Sequence, residues 1–118
     1  MAVILVLDDE REILKLVQRI LNGRGHTTFI GSTVGEVLAF LRKFCQQIDL
    51  VISDNQIAGD ELTGLDFLAI VRRDYPWIKC ILMTSGVDVG IPEGVVYLRK
   101  PFDPDKMNAT VDSTLERK

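Results

Sequence analysis

Four short apolar runs in this chain end in residues able to do chemistry. Val3 to Leu7 runs into Asp8-Asp9-Glu10, Leu50 to Ser53 into Asp54, Cys80 to Met83 into Thr84, and Val95 to Leu98 into Arg99-Lys100. Three carboxylates within a few ångströms of one another repel strongly at low effective dielectric unless a cation intervenes. An oxygen-rich site without soft ligands suits Mg²⁺ or Mn²⁺. With a hydroxyl and an ammonium group added, the set becomes a phosphoryl-transfer environment. Asp54 attacks as nucleophile, the cation neutralises charge on the transferred oxygens, and Thr84 and Lys100 hold those that remain. Each residue also has a plainer role when taken singly. Asp8-Asp9 could be a charge pair at a helix N-terminus, Thr84 a turn residue, Lys100 a solvated charge and Tyr97 ordinary strand packing. Their joint arrival at four strand ends selects the site reading.

The elements that must carry these residues follow from the spacing of apolar positions. The run at residues 50–53 is rich in β-branched types and apolar throughout, as in a strand covered by helices on both faces. Between the first two strands, Ile13, Leu14, Leu16, Val17, Ile20 and Leu21 recur at helical spacing, and Asn22-Gly23 supplies the stop signal. His26 to Ile30 is a second, more polar strand suited to a sheet edge. Thr33-Val34-Gly35-Glu36 fits a capping box for a second helix, which turns Val37, Leu38, Phe40, Leu41 and Phe44 inward. A third helix begins near Thr63-Gly64 and ends ahead of Tyr75-Pro76, and a last one starts at Asp103-Pro104 with Met107, Val111 and Leu115 along one side. Strands alternating with helices give a doubly wound five-stranded parallel sheet of α/β class. In such sheets ligands bind outside the carboxyl ends of the strands, where the acidic residues lie.

Composition narrows the function classes. At 118 residues the chain has the size of one domain, residues 1–118. A net charge of −3 gives no electrostatic reason to expect nucleic-acid binding, and no apolar run approaches the ~20 residues that span a bilayer. The amino end lacks a basic leader, from which a cytoplasmic protein is expected, and the start at Met1 gives mild support to the expectation of a free-standing one. In that compartment Cys45 and Cys80, far apart and beside apolar residues, read as free thiols. The lone His26 sits on the second strand and reads as a surface residue, not a ligand.

Taken together, Leu7-Asp8-Asp9-Glu10, Val51-Ile52-Ser53-Asp54, Ile81-Leu82-Met83-Thr84-Ser85-Gly86 and Tyr97-Leu98-Arg99-Lys100-Pro101-Phe102 resemble, in order, the motifs of a response-regulator receiver domain of two-component signalling. The resemblance covers essentially the whole chain. It implies a flavodoxin-like strand order 2-1-3-4-5, with Asp54 as phospho-acceptor. It further implies Mg²⁺ held by Asp9, Asp54 and the main-chain carbonyl of Gln56, with Asp8 acting mainly through water. Thr84 and Lys100 would bind phosphoryl oxygens, Thr84 and Tyr97 would form the switch, and Lys100-Pro101 resembles the family's frequent cis peptide. The implied partners are a sensor histidine kinase or histidine phosphotransfer protein and a downstream protein, without direct nucleic-acid or membrane contact. The implied state is a monomer or weak dimer. Phosphorylation and dephosphorylation of Asp54 would be self-catalysed, which is not conventional enzyme turnover.

Two stretches depart from the family pattern. The segment from Ile57 to Gly64 is about two residues longer than usual and has Ala58 where proline is common, which raises loop entropy. Asp60 and Glu61 could hang near the metal, but they read first as a solvated loop tip. Thr84 and Lys100 lie closer in sequence than usual, by more than a helical turn, and Gly86 to Gly94 holds three glycines and a proline. The fourth helix of the family is therefore expected to be shortened or missing. Two alternatives stand beside the leading one: a pseudo-receiver that only binds partners, and a Mg²⁺-dependent phosphohydrolase with an Asp nucleophile. The intact acidic set opposes the first. Gln56, where such hydrolases place a proton-donating acid, opposes the second.

Overall fold

The computed structural model describes residues 1–85, 90 and 92–116. Five parallel strands, β1 (Val3–Leu7), β2 (Thr27–Gly31), β3 (Leu50–Asp54), β4 (Lys79–Thr84) and β5 (Val95–Arg99), form one sheet in the order β2-β1-β3-β4-β5. Among the described residues there are four helices: α1 (Arg11–Gly23), α2 (Val34–Phe44), α3 (Gly64–Asp74) and α4 (Pro104–Glu116). None of them is long and apolar enough to cross a membrane.

Alternation along the central strands explains why they read as continuous apolar runs. Leu5, Leu7, Val51 and Leu82 face Val37, Leu41, Phe67, Leu68 and Val71 of α2 and α3. Ile4, Val6, Ile52 and Ile81 face Leu14, Val17, Leu21, Met107 and Val111 of α1 and α4. Each fully buried Leu, Ile or Phe contributes ~1.5–3 kcal/mol relative to exposure, so both layers clamp the middle of the sheet. The two helix pairs lie on opposite faces of the sheet, and the reversal between β1 and β3 opens the crevice that such topologies use for ligands.

Boundaries match the apolar pattern, with three informative differences. The second strand starts at Thr27, one residue after His26. The Thr27 N–H donates to the Ala2 carbonyl at 2.9 Å and opens the ladder, while the His26 side chain accepts the Ala2 N–H at 3.0 Å. At the start of α2, Thr33 Oγ1 accepts the Glu36 N–H as expected, but the Glu36 carboxylate accepts the N–H of Ser32 instead of Thr33. The complete capping box is at α3, where Thr63 and Asp66 exchange bonds of 3.1 and 2.9 Å. Aspartate there is a shorter version of the usual Glu or Gln. Leu16, one of the apolar residues that recur at helical spacing, is exposed on the flank of α1. Of the segment expected to lack a full helix, residues 86–89 and 91 lie outside the described residues, and Gly90, Pro92, Glu93 and Gly94 are not helical.

Candidate functional site

Parallel register brings the strand ends level. Leu7 pairs with Ser53, Asp54 with Met83, and Thr84 with Arg99, so Asp8, Asp54, Thr84 and Lys100 emerge on one rim of the sheet. The Asp8 N–H donates to the Gly31 carbonyl and the Lys100 N–H to the Thr84 carbonyl, extending the ladder one residue past β1 and β5. Both side chains are thereby fixed by backbone pairing. Asp8, Asp9 and Asp54 each place one carboxylate oxygen within 4.8 Å of the others. Asp8 and Asp54 are buried and Asp9 is half-buried.

Lys100 is the counter-charge. Its Nζ donates to Asp8 Oδ2 at 2.9 Å and lies 3.4 Å from Asp54 Oδ1. Burial pulls the Lys100 ammonium toward neutrality, but the bond to Asp8 and the charges of Asp8 and Asp54 outweigh it, and its pKa lies above the ordinary lysine value. Asp54 goes the other way for a carboxylate. Burial, followed by the neighbouring charge of Asp8, pushes its pKa from 3.8 up to about 6, against the opposing pull of Lys100 and the Asn55 N–H. One ammonium does not balance the three carboxylates. The excess charge, the all-oxygen donor set and the absence of His or Cys from the cluster fit a hard divalent cation such as Mg²⁺.

The acids open into a cleft of about 520 Å³ lined by Asp9, Asp54, Gln56, Ala58, Thr84 and Lys100, among others. Thr84 is buried and Gln56 exposed at its edge. Tyr97 is half-buried on β5, one strand away, opposite Leu82. The Lys100-Pro101 peptide is cis. His26 lies at the amino end of the sheet beside Ala2, away from the cluster and half-buried, and burial together with the nearby chain amino group holds its pKa below the ordinary value. Cys45 and Cys80 are free thiols, and burial pushes the Cys80 thiol up to about 12.

Three residues in and around the loop after Asp54 were assigned no part in the site from the sequence. Asn55, directly after Asp54, bonds to β4 and to the start of α3: its N–H donates to the Met83 carbonyl and its own carbonyl accepts the Gly64 N–H. Gly64 packs so closely that a Cβ there would lie 1.8 Å from the Asp54 carbonyl oxygen, so only glycine lets α3 start beside the acceptor strand. Asp60, read as part of a solvated tip, is instead half-buried, because its carboxylate accepts the N–H of Val34 at 2.8 Å. Asn55 and Gly64 are short or side-chain-free residues flanking a functional loop, a signal too common to single them out. Asp60 pairs with a helix 26 residues away, which no local pattern reveals.

Known proteins supply an independent line. The chain matches the family model of the response regulator receiver domain over residues 4–112. It is 32% identical to the alginate biosynthesis transcriptional regulatory protein AlgB of Pseudomonas aeruginosa, over 96% of this chain and 26% of that protein. It is 29% identical to the transcriptional regulatory protein GlrR of Escherichia coli, over 97% of this chain and 26% of that protein. The chain thus spans about a quarter of the length of the curated relatives it matches. Among solved structures, a response regulator receiver domain protein from Clostridium thermocellum superposes with a TM-score of 0.88 at 28% identity, covering 99% of this chain and 96% of that one. The receiver domain of NtrX from Brucella abortus does so with a TM-score of 0.83 at 27% identity, covering 98% and 99%.

Proposed function

The chain belongs to the response regulator receiver domain family, and from that premise we propose that it accepts a phosphoryl group on Asp54 and signals by changing what it binds. The observation that carries this reading is the setting of Asp54. It ends the central strand at 8% exposure, with two further carboxylates gathered at one of its oxygens and the Lys100 ammonium 3.4 Å from Oδ1. A carboxylate held this way is rigid, partly desolvated and open to the cleft on one side, as an in-line nucleophile requires.

In the reaction, an Asp54 carboxylate oxygen attacks the phosphorus of a phosphorylated imidazole. The phosphorus–nitrogen bond breaks, and the imidazole leaves with the bonding pair and takes up a proton. Lys100 binds one phosphoryl oxygen, and the Thr84 hydroxyl donates to another. Asp9, Asp54 and the Gln56 carbonyl would hold Mg²⁺ directly, with Asp8 oriented by Lys100 and by the Glu10 N–H at 2.9 Å. When bound, the cation supplies charge neutralisation on the transferred group. Water attacking the same phosphorus later breaks its bond to the Asp54 oxygen, releasing inorganic phosphate and restoring the carboxylate. Gln56 offers no acid to a leaving alcohol, so hydrolysis of external phosphomonoesters is not expected. The phosphoryl oxygens draw the Thr84 hydroxyl inward, and Tyr97 on the adjacent strand follows it as the second element of the switch.

The donor is a histidine kinase or histidine phosphotransfer protein, and its docking surface adjoins the site. Ile13 and Leu16 of α1, with Pro101 and Phe102, line an apolar cleft that shares Ser85 and Lys100 with the surroundings of the acidic cluster. A phosphorylated imidazole presented to Asp54 brings the surface of its carrier against that cleft, where Leu16 and Pro101 are exposed. The test of the acceptor is incubation with acetyl phosphate, followed by intact mass measurement. The wild type should gain one phosphoryl group only when Mg²⁺ is present, and full labelling of Asp54→Asn would overturn the assignment.

A further inference from the structure

A turn in the loop after β3 ties the site to a helix that contributes nothing else to it. The Asp60 carboxylate accepts the N–H of Val34, the first residue of α2. That N–H has no partner within its own helix, and the positive end of the helix dipole adds attraction for the carboxylate. The Asp60 N–H in turn donates to the Ile57 carbonyl at 3.1 Å, and Gly59 between them has a φ of 79°, the pattern of a type II turn. Ile57 is 6% exposed and packs into the core under α2 and α3. On the other side, Asn55 is fixed by the Met83 carbonyl at 3.2 Å and the Gly64 N–H at 2.7 Å. Gln56 lies between these two anchorages, so its main-chain carbonyl is placed by both.

We propose that Asp60 is a positioning residue: by fastening the Ile57–Asp60 turn to the N-terminus of α2, it holds the Gln56 carbonyl where the site takes its divalent cation. This rests on the cation site described under the proposed function and adds a residue that the acidic cluster does not contain. The longer loop, with Ala58 instead of a φ-restricting proline, has more backbone freedom to lose. Asp60 supplies the restraint from outside the loop. Coupling of this kind is reciprocal: if the Asp60–Val34 bond favours cation binding, the bound cation favours the bond by the same factor.

The test is a calorimetric Mg²⁺ titration of the wild type, Asp60→Ala, Asp60→Asn and, as a control, Glu61→Ala at the exposed neighbour, together with hydrogen exchange at the Val34 amide. Asp60→Ala should weaken Mg²⁺ binding about fivefold or more, the lower end of a typical coupling between two sites. Asp60→Asn keeps an oxygen able to accept the same N–H and should stay within about twofold of the wild type, as should Glu61→Ala. In the wild type, Mg²⁺ should slow Val34 exchange. An Asp60→Ala variant that binds Mg²⁺ as tightly as the wild type, even if it melts earlier, overturns the proposal by reducing Asp60 to a helix cap. Equal losses in Ala and Asn overturn it by showing that the charge acts, not the bond. If Asp60→Ala does not fold, the Asn variant and the Val34 exchange still decide, and unchanged exchange on Mg²⁺ binding refutes the coupling. A wild type that binds no Mg²⁺ sinks the site reading as well, whereas wild-type binding with an unaffected Asp60→Ala sinks this proposal alone.

Discussion

Replacing Asp54 by asparagine should make the metal-free protein more stable, not less. Asp54 is 8% exposed and its pKa lies at about 6, against an ordinary value of 3.8. The folded state therefore binds this proton more tightly than the unfolded chain does. Stability from this group is full below the unfolded pKa near 4, and it is lost as pH rises through about 6. A displacement of roughly two units corresponds to about 3 kcal/mol of penalty on the charged form at pH 8. Asparagine has nearly the same shape and no charge, so it escapes the penalty, including the net effect of Asp8 and Lys100. In chelator at pH 8, Asp54→Asn should exceed the wild type by up to about 3 kcal/mol, on the order of 10 °C in Tm. The advantage should shrink to below about 1 kcal/mol at pH 4, where the wild-type carboxyl is protonated when folded. Saturating Mg²⁺ should also narrow the gap, because it binds the folded wild type through the same carboxylate. Urea unfolding at pH 8, 6 and 4, with and without Mg²⁺, reads all three effects. A variant equally or less stable than the wild type at pH 8 in chelator would refute the account of Asp54 as a carboxylate held under electrostatic strain.

Two further outcomes follow from the same geometry. Asp9→Ala removes one of the three clustered carboxylates without opening the core, since Asp9 is only half-buried, and Mg²⁺ affinity measured by calorimetry should fall at least about tenfold. Leu16→Glu puts a charge on the apolar cleft beside the site and should slow transfer from a phosphorylated histidine-bearing donor about tenfold, while labelling by acetyl phosphate stays at the wild-type rate. Equal slowing with both donors would show that the substitution damages the site and not the docking.

The fold was largely legible because both sides of the sheet are covered. Val3 to Leu7 and Leu50 to Ser53 must be apolar at every position when helices pack on both faces, and that leaves an unmistakable run. The acidic cluster was legible for a related reason: Asp8 and Asp54 directly follow such runs, with Asp9 next in sequence, and parallel register fixes where strand ends meet. What escaped was held by contacts distant in sequence. Leu16 satisfies helical spacing, yet it falls on the flank between core and solvent, because a stripe of apolar residues wider than the contact face leaves some outside. Phe40 and Phe44 of α2 are half-buried for a similar reason: Phe40 lies between Phe29 of the edge strand and Phe44, with both pairs of ring centroids 4.8 Å apart, and this aromatic row sits at the rim of the core. Asp60 looked like loop solvent because nothing adjacent in sequence reveals that α2 begins above it. The tightness at Gly64 was equally hidden, since a glycine near a helix start also serves ordinary capping.

The central claim is that the phosphoryl group lands on the Asp54 carboxylate and not on another acid of the cluster. Borohydride reduces an acyl phosphate to the alcohol, converting a phosphorylated aspartate to homoserine, so peptide sequencing by mass spectrometry after labelling with acetyl phosphate and Mg²⁺ reads the acceptor directly. The account predicts homoserine at Asp54 alone, and none when Mg²⁺ is chelated. Homoserine at Asp8 or Asp9, or labelling of Asp54 that is indifferent to Mg²⁺, would contradict it.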